Sequence, residues 1–487
     1  MADETIAPRM FEYRDGKSDK FWCIELNGNS HTVRYGRVGT DGQSKTKEFA
    51  DGEKAKKDYE KLIGQKTKKG YAEVEDEAES RSAKVKAKKE TTAEHKQFID
   101  GILEDPDDLA GYGVYADFLE ENEDPRGEFI RIGLQLEDES TKAAERKKLQ
   151  KREKELIKAH GKEWVGDLDI FLFDYKTPEA LSWRGNEKLF DGQFARGFLD
   201  SLHVQYLLPD FAKAIRRSPE MRMLRSLKIS YMPSGYELQE EFEEYEDAEW
   251  DEDESPSLMM MAGAAFDNLR SFILSEEDGA NCHIEGGGIE KLIKKMPRLE
   301  VLQVDAHDVD TTALFKLKQP HLKSLTVQHT TDYDCEALCK NKSLSNLEEI
   351  FFYPHAFEWD DDEPYLVQRD GEAFGKYAKN FPNLKHLTLR SSEIGDAGLE
   401  AMLKSGLIGQ LKTLDMMYGT LTAKAVDLLL EHGVSNLESL NVGGNYIPKK
   451  DVKRLKDAGL NVTATEMFDG EPDLEDEREH LWYGDIE

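Results

Sequence analysis

The sequence predicts a multidomain α/β chain: a small α+β module, a short helical region, and a long solenoid of strand-plus-helix repeats bent into a horseshoe. Three observations predict it. Nine times between Leu199 and Val442 the chain writes leucine, two variable residues, a leucine-like residue, one variable residue and another apolar residue. At 487 residues it exceeds one core, because single hydrophobic cores stop growing at roughly 250 to 300 residues. Residues 1–70 hold 15 Lys or Arg against 12 acids, whereas the whole chain has a net charge of −33, so the two ends differ in electrostatic character.

The first module spans residues 1–72. RMFEYR, FWCIEL and HTVRYGRV carry β-branched and aromatic residues, with Asn27-Gly28 and Asp41-Gly42 as turns between them. Asp51 stands where a helix N-cap belongs, before EKAKKDYEKLI. Tyr35-Gly36-Arg37-Val38-Gly39, the following Thr40-Asp41-Gly42-Gln43, a Lys-rich strand ending at Phe49, and Trp22 upstream together resemble the WGR domain. Tyr35 departs from the Trp of the family's triplet and keeps a flat ring. In poly(ADP-ribose) polymerases such a domain helps bind DNA ends, so the resemblance implies a nucleic-acid contact through Tyr35, Arg37, Lys45 and Lys47. The plainer alternative is that Tyr35 and Arg37 hold the sheet together. A net of +3 over residues 1–70 is weak for phosphate neutralisation.

Residues 73–95 read as a charged linker, rich in charge and poor in large apolar side chains. Residues 96–160 then read as helices. Phe98, Ile102 and Leu103 fall on one helical face, and Val114, Tyr115, Phe118 and Leu119 on the next. Asp124 can cap a further helix with Pro125 at its first position, where a missing N–H costs nothing. Tyr115 to Glu120 and Asp124 to Arg131 resemble a short helical domain that accompanies repeats in large bacterial proteins. The resemblance implies a cap that hides the apolar end of the repeat stack, with Arg126 and Glu128 in salt bridges.

Residues 161–465 hold the ladder. Its frames open at Leu199, Leu224, Leu269, Leu299, Leu322, Leu347, Leu384, Leu411 and Leu437, and most intervals lie at or near the 20 to 29 residues of leucine-rich repeats. Between frames run helical stripes: Ile289, Leu292, Ile293; Leu399, Met402, Leu403; Val426, Leu429, Leu430. Ile394, Leu421 and Ile447 come ten residues after an opening leucine and Asn445 fills an asparagine slot, which resembles the ribonuclease-inhibitor-like subclass. Parallel strands at about 4.8 Å spacing would give nine frames a concave wall of roughly 40 Å. Alternation puts residues two, four and six places after each opening leucine on that wall. They include two bases, Lys228 and Arg390, and three acids, Asp305, Glu349 and Asp415, so the wall is nearly neutral. Its candidate binding spot is Phe351 and Tyr353, flanked by His386 and Arg390 on one side and Thr326 and Gln328 on the other, because exposed aromatics beside arginine are frequent interface anchors.

Acidity is concentrated elsewhere. Glu237 to Glu254 hold twelve acids and no base, Glu358 to Glu363 five, and Glu466 to Glu487 ten against Arg478. The inserts at 237–257 and 358–364 and the tail at 466–487 are expected to be solvating, or else to rim a site for a basic partner. Cys23, Cys282, Cys335 and Cys339 are too scattered for a disulfide framework and read as buried. No phosphate loop, dinucleotide fingerprint, nucleophile elbow or zinc-helix motif occurs. No enzyme, cofactor, metal, small-molecule substrate or membrane partner is expected, and the chain is expected in the cytoplasm. The leading expectation is a non-enzymatic scaffold that binds a protein or peptide on the concave face. The alternative is a nucleic-acid-linked sensor or regulator acting through the first module.

Overall fold

A computed structural model describes residues 5–14, 19–37, 43–74, 93–176, 188–241, 256–276, 284–331, 333–355, 365–472 and 479–482. The chain divides into two compact units, one of residues 1–111 with 239–248, the other of residues 112–238 with 249–487.

In the first unit, β1 (Thr5–Arg14), β2 (Asp19–Asn27), β3 (Ser30–Arg37), β4 (Gln43–Glu48) and β5 (Ala72–Val74) form an antiparallel sheet in the order β4-β3-β2-β1-β5. Helix α1 (Gly52–Lys68) starts where Asp51 accepts the Lys54 N–H at 2.8 Å. It buries Ala55 and Tyr59 against Phe11, Trp22, Ile24 and Leu26. The β2–β3 loop is Gly28-Asn29, one residue later than expected, because Asn27 still pairs with Ser30. Gly28 takes the positive φ of +60° that this short loop requires. The expected Asp41-Gly42 turn lies outside the described residues. Strand β5 carries the sheet past residue 72: Glu73, placed in the linker by its charge, receives two bonds from Arg9 at 2.6 and 2.7 Å. Linker residues 75–92 lie outside the described set.

The second unit opens with α-helices. One of them, Pro125–Glu137, has Asp124 accepting the Arg126 N–H at 2.8 Å and Pro125 in its first turn. Its Phe129 stacks on Trp164 of the helix Ala143–Val165 at 4.5 Å. The other face of Pro125–Glu137 lies on a hairpin formed by β6 (Phe190–Ala195) and β7 (Phe198–Val204). Contact is so close that a Cβ on Gly133 would sit 2.8 Å from the Arg196 nitrogen. Arg126 joins the two: its Nε donates to the Gly197 carbonyl at 2.9 Å, its guanidinium pairs with Glu220 at 2.8 Å, and it lies over the Phe198 ring. Glu128 pairs with Arg152 at 2.7 Å.

From β7 onward all strands run parallel and follow chain order: β8 (Ser226–Ile229), β9 (Ser271–Leu274), β10 (Val301–Asp305), β11 (Ser324–Gln328), β12 (Glu349–Tyr353), β13 (His386–Leu389), β14 (Thr413–Asp415), β15 (Ser439–Asn441) and β16 (Val462–Thr463). Among the described residues, with antiparallel β6 at one edge, this makes an eleven-stranded sheet. Strands β8 to β15 each begin two residues after an opening leucine, and those leucines are buried. Short helices return between strands, with Ile289, Leu292, Ile293, Leu399, Met402 and Leu403 buried as expected. In the helix Ala423–His432 the buried stripe is Ala425, Val426, Leu428 and Leu429, and Leu430 is only half-buried.

Two ladders link successive repeats. The residue just before several opening leucines carries an amide that bonds a carbonyl of the preceding repeat: Asn346 to Pro320 at 2.7 Å, Asn383 to Ser345 at 3.0 Å, Gln410 to Phe381 at 2.6 Å, and Asn436 to Gly409. The residue just after the leucine carries charge, giving Arg225–Asp200, Arg270–Glu300, Lys323–Glu300, Lys385–Glu348 and Lys412–Glu438 pairs. Asn445, fully buried, accepts the Leu421 N–H at 2.8 Å and donates to the Met416, Val442 and Gly443 carbonyls. The amide side chains thus bond backbone groups between repeats, and the charged ones pair with each other across the same gap.

Candidate binding surfaces

Across β8 to β15 the positions two and four places after each opening leucine are the less buried ones, whereas six places after it Ser230, Asp305 and Tyr353 are buried. Register aligns them into rows. Thr326, Phe351 and Thr388 are lateral neighbours, as are Gln328 and Tyr353. His386 lies opposite Glu349, two positions along the strand from the residue facing Phe351, and bonds Thr413 Oγ1 at 2.9 Å.

Arg390, just past β13, organises the centre of this patch. Its guanidinium carbon stands 5.5 Å from the ring centroids of both Phe351 and Tyr353. Asp415 fixes it from the far side at 2.7 Å and also accepts from Asn441 at 2.9 Å. Burial works against the Arg390 charge, and the Asp415 carboxylate outweighs it, holding the guanidinium pKa above its ordinary value. Phe351 is half-buried. Tyr353 corrects the expectation of two exposed aromatics: it is only 7% exposed. It ends its strand between the Gln328 row and Arg390, and there the alternation gives way to two consecutive buried residues, Phe352 and Tyr353. Gln328 is likewise engaged, donating to Asp305 at 2.9 Å. Sequence reasoning missed the rings beyond these strand ends: His307 lies 6.2 Å from His329 and 5.9 Å from His355. The signal was present, since each histidine follows β10, β11 or β12 by one or two residues.

In the first unit, register places Tyr35 opposite Trp22 and Gln43, Lys45 opposite Val33, and Lys47 opposite His31. Paired residues share a face, so Tyr35, Lys45 and Lys47 lie on the face that carries Trp22 and Ile24 and is covered by α1. Tyr35 packs against that core, while both lysines are exposed. Lys47 reaches Asp58 at 3.3 Å, and Asp58 bonds buried His31 at 2.9 Å. Arg37 closes β3 opposite Lys20; its side chain, with residues 38–42, lies outside the described set.

Cys335 and Cys339 are buried, and burial pushes both thiols up. Beside them Asp370 caps the helix Gln368–Lys376 by accepting the Val367 N–H at 2.9 Å. Desolvation pushes its carboxyl up to about 6. Among the described residues no group of three or more His, Cys, Asp or Glu is placed to hold a metal ion, and no helix is long and apolar enough to cross a membrane. Acidic residues 242–254, 358–363 and 473–478 lie outside the described set.

Residues 7–78 match the family model of the WGR domain. The uncharacterized protein YfeS of Escherichia coli (strain K12) is 49% identical over 65 residues, 13% of this chain and 27% of that protein. The protein mono-ADP-ribosyltransferase PARP3 of Homo sapiens is 42% identical over 64 residues, 12% of each chain. The chain therefore spans about a quarter or less of the length of these curated relatives. A crystal structure of a Bacteroides fragilis protein aligns with 95% of this chain and 98% of its own at 18% identity and a TM-score of 0.35. The chain thus carries an N-terminal WGR domain, followed by a large parallel-sheet region.

Proposed function

We propose that the parallel-sheet region is a leucine-rich-repeat solenoid of the ribonuclease-inhibitor-like kind, closed at its β6 end by the preceding helices, and that it works as a non-enzymatic cytoplasmic scaffold. Its partner is a protein or peptide bound on the wall around Phe351, Arg390, His386, Thr326 and Gln328, with Tyr353 as the buried support beneath. The observation that carries this reading is the fixed cation beside a half-open ring: Arg390 is held by Asp415 before any partner arrives. A preordered aromatic next to arginine loses little side-chain freedom on binding, which favours it as an anchor.

The test is affinity capture with the full chain and with Phe351→Ala, each bait first shown to unfold at the same temperature. The reading expects a discrete protein that the wild-type chain retains and the variant loses. Equal retention by both baits would sink it. Tyr353→Ala is a poor probe, because its ring is buried and its loss would disturb the strand end.

The WGR domain supports a second reading, in which the first unit contacts DNA or RNA. Exposed Lys45 and Lys47 on β4, together with Tyr35 and Arg37, are the residues this reading uses. Anisotropy with a labelled duplex across a salt series checks it: binding that weakens steeply with salt, and weakens further in Lys45→Glu/Lys47→Glu, is expected. Flat, salt-independent anisotropy counts against it.

A further inference from the structure

We infer that the free edge of the large sheet, strand β16 beneath the helix Lys449–Asp457, is a docking site for an acidic peptide that adds to the sheet as a further strand. Two independent features meet there.

The first is backbone. Strand β16 pairs with β15 on one side, and among the described residues no strand pairs with the other. Leu440, Val442 and Gly444 donate their N–H groups to the carbonyls of Asn461, Thr463 and Thr465. Strand alternation therefore turns the backbone groups of Val462 and Ala464 toward the open edge, and the left-handed backbone of Glu466 ends the extended run. Such an edge is a template for strand addition.

The second is charge. A cleft of about 550 Å³ runs along this edge, lined by Lys449, Val452, Lys453, Lys456, Ala464, Glu466 and Met467. Its three lysines stand at i, i+4 and i+7 on one helical face. Among the described residues Lys449 and Lys456 have no ion-pair partner, while Lys453 pairs with Asp457 and Glu466 is held by the Tyr418 hydroxyl at 3.0 Å. Along the helix Lys449 and Lys453 are about 6 Å apart, and alternate residues of an added strand are about 6.7 Å apart. A peptide with carboxylates at every second position would thus present two of them in step with Lys449 and Lys453 over the cleft that Val452 and Met467 also line, its intervening side chains turned to the opposite face of the sheet. The apolar floor and the glutamate in the lining favour a peptide over a nucleic acid, which would bring a continuous run of phosphates past Glu466.

The experiment uses the full chain and a fluorescein-labelled octapeptide alternating glutamate with valine, read by anisotropy at low salt. Binding is expected, and it should weaken at least tenfold in Lys449→Glu/Lys453→Glu/Lys456→Glu. It should weaken comparably in Ala464→Pro, which removes an edge N–H that the sheet does not use. Circular dichroism melts confirm that each variant folds. No binding by the wild-type chain would make the lysines a guard against edge pairing and overturn the proposal. Unchanged affinity in either variant, or tighter binding of a single-stranded oligonucleotide of equal charge that the triple variant loses, would overturn it too.

Discussion

Asp370 is a buried carboxylate whose loss of solvent raises its pKa by more than the Val367 N–H and Arg369 lower it. Its folded value is about 6 against an ordinary 3.8, so the folded state holds a proton more tightly than the unfolded state. This contribution to stability is greatest below about pH 4 and is lost as pH rises through about 6. The difference corresponds to about 3 kcal/mol of cost at pH 7. In Asp370→Asn the amide oxygen can still accept the Val367 N–H, and no charge is buried. Urea denaturation at pH 4.5 and pH 7 should show the variant gaining on the wild type at pH 7 and that gain shrinking to roughly a third at pH 4.5; parallel changes in both proteins would exclude Asp370 as the group responsible. A second residue-scale prediction concerns Asp415, which receives Arg390, Asn441 and the Met417 N–H. Removing it strands a largely buried guanidinium, so Asp415→Ala should lower unfolding free energy by about 2 kcal/mol, whereas Phe351→Ala, which opens no core cavity, should cost less than half as much in the same urea titration.

At the scale of elements, the strands were legible because leucine spacing and alternation act together: each opening leucine is buried, and the residues between point alternately in and out. The less buried positions two and four places after each leucine were legible for the same reason. Tyr353 was not, because alternation holds only while a strand is straight and paired, and Tyr353 lies at a strand end under an arginine from the next repeat. The amide ladder was written one place before several of the leucines and the charged ladder one place after each, yet their meaning depends on which carbonyl or charge lies across the gap between repeats. That is a distance the sequence does not contain. The N-terminal module was legible as strands, cap and helix, but Tyr35, read as a candidate contact, faces the α1 core. The ladders carry predictions. Asn445→Ala leaves the Leu421 N–H and the Met416 carbonyl without their partner inside the protein, costing about 3 kcal/mol, and hydrogen exchange should show the Leu421 amide losing protection first. Glu300 serves both Arg270 and Lys323, so Glu300→Lys should cost about 1 kcal/mol at low salt and much less in 0.5 M NaCl, since exposed pairs are screened. A cost that persists in high salt would show that packing, not charge, is lost.

On the scale of the whole molecule, the two units have separate cores. Ile24, fully buried, packs with Phe11, Trp22, Leu26, Ala55 and Tyr59 in the first; Ile350, also fully buried, belongs to β12 of the second. A unit with its own core can melt on its own, and a multidomain chain need not unfold in one step. Calorimetry should therefore resolve two transitions. Ile24→Val and Ile350→Val each remove one buried methyl group and cost about 1 kcal/mol. The same loss moves the melting temperature of a small unit further, because its unfolding entropy is smaller: roughly 4 to 8 °C for a domain of 60 to 100 residues and no more than about 4 °C for a much larger one. Ile24→Val should shift only the transition of the WGR-bearing unit, and Ile350→Val only that of the sheet region, by the smaller amount. A single transition that moves with both variants would mean the units unfold as one, and then a ligand bound by either would stabilise the other through the shared equilibrium.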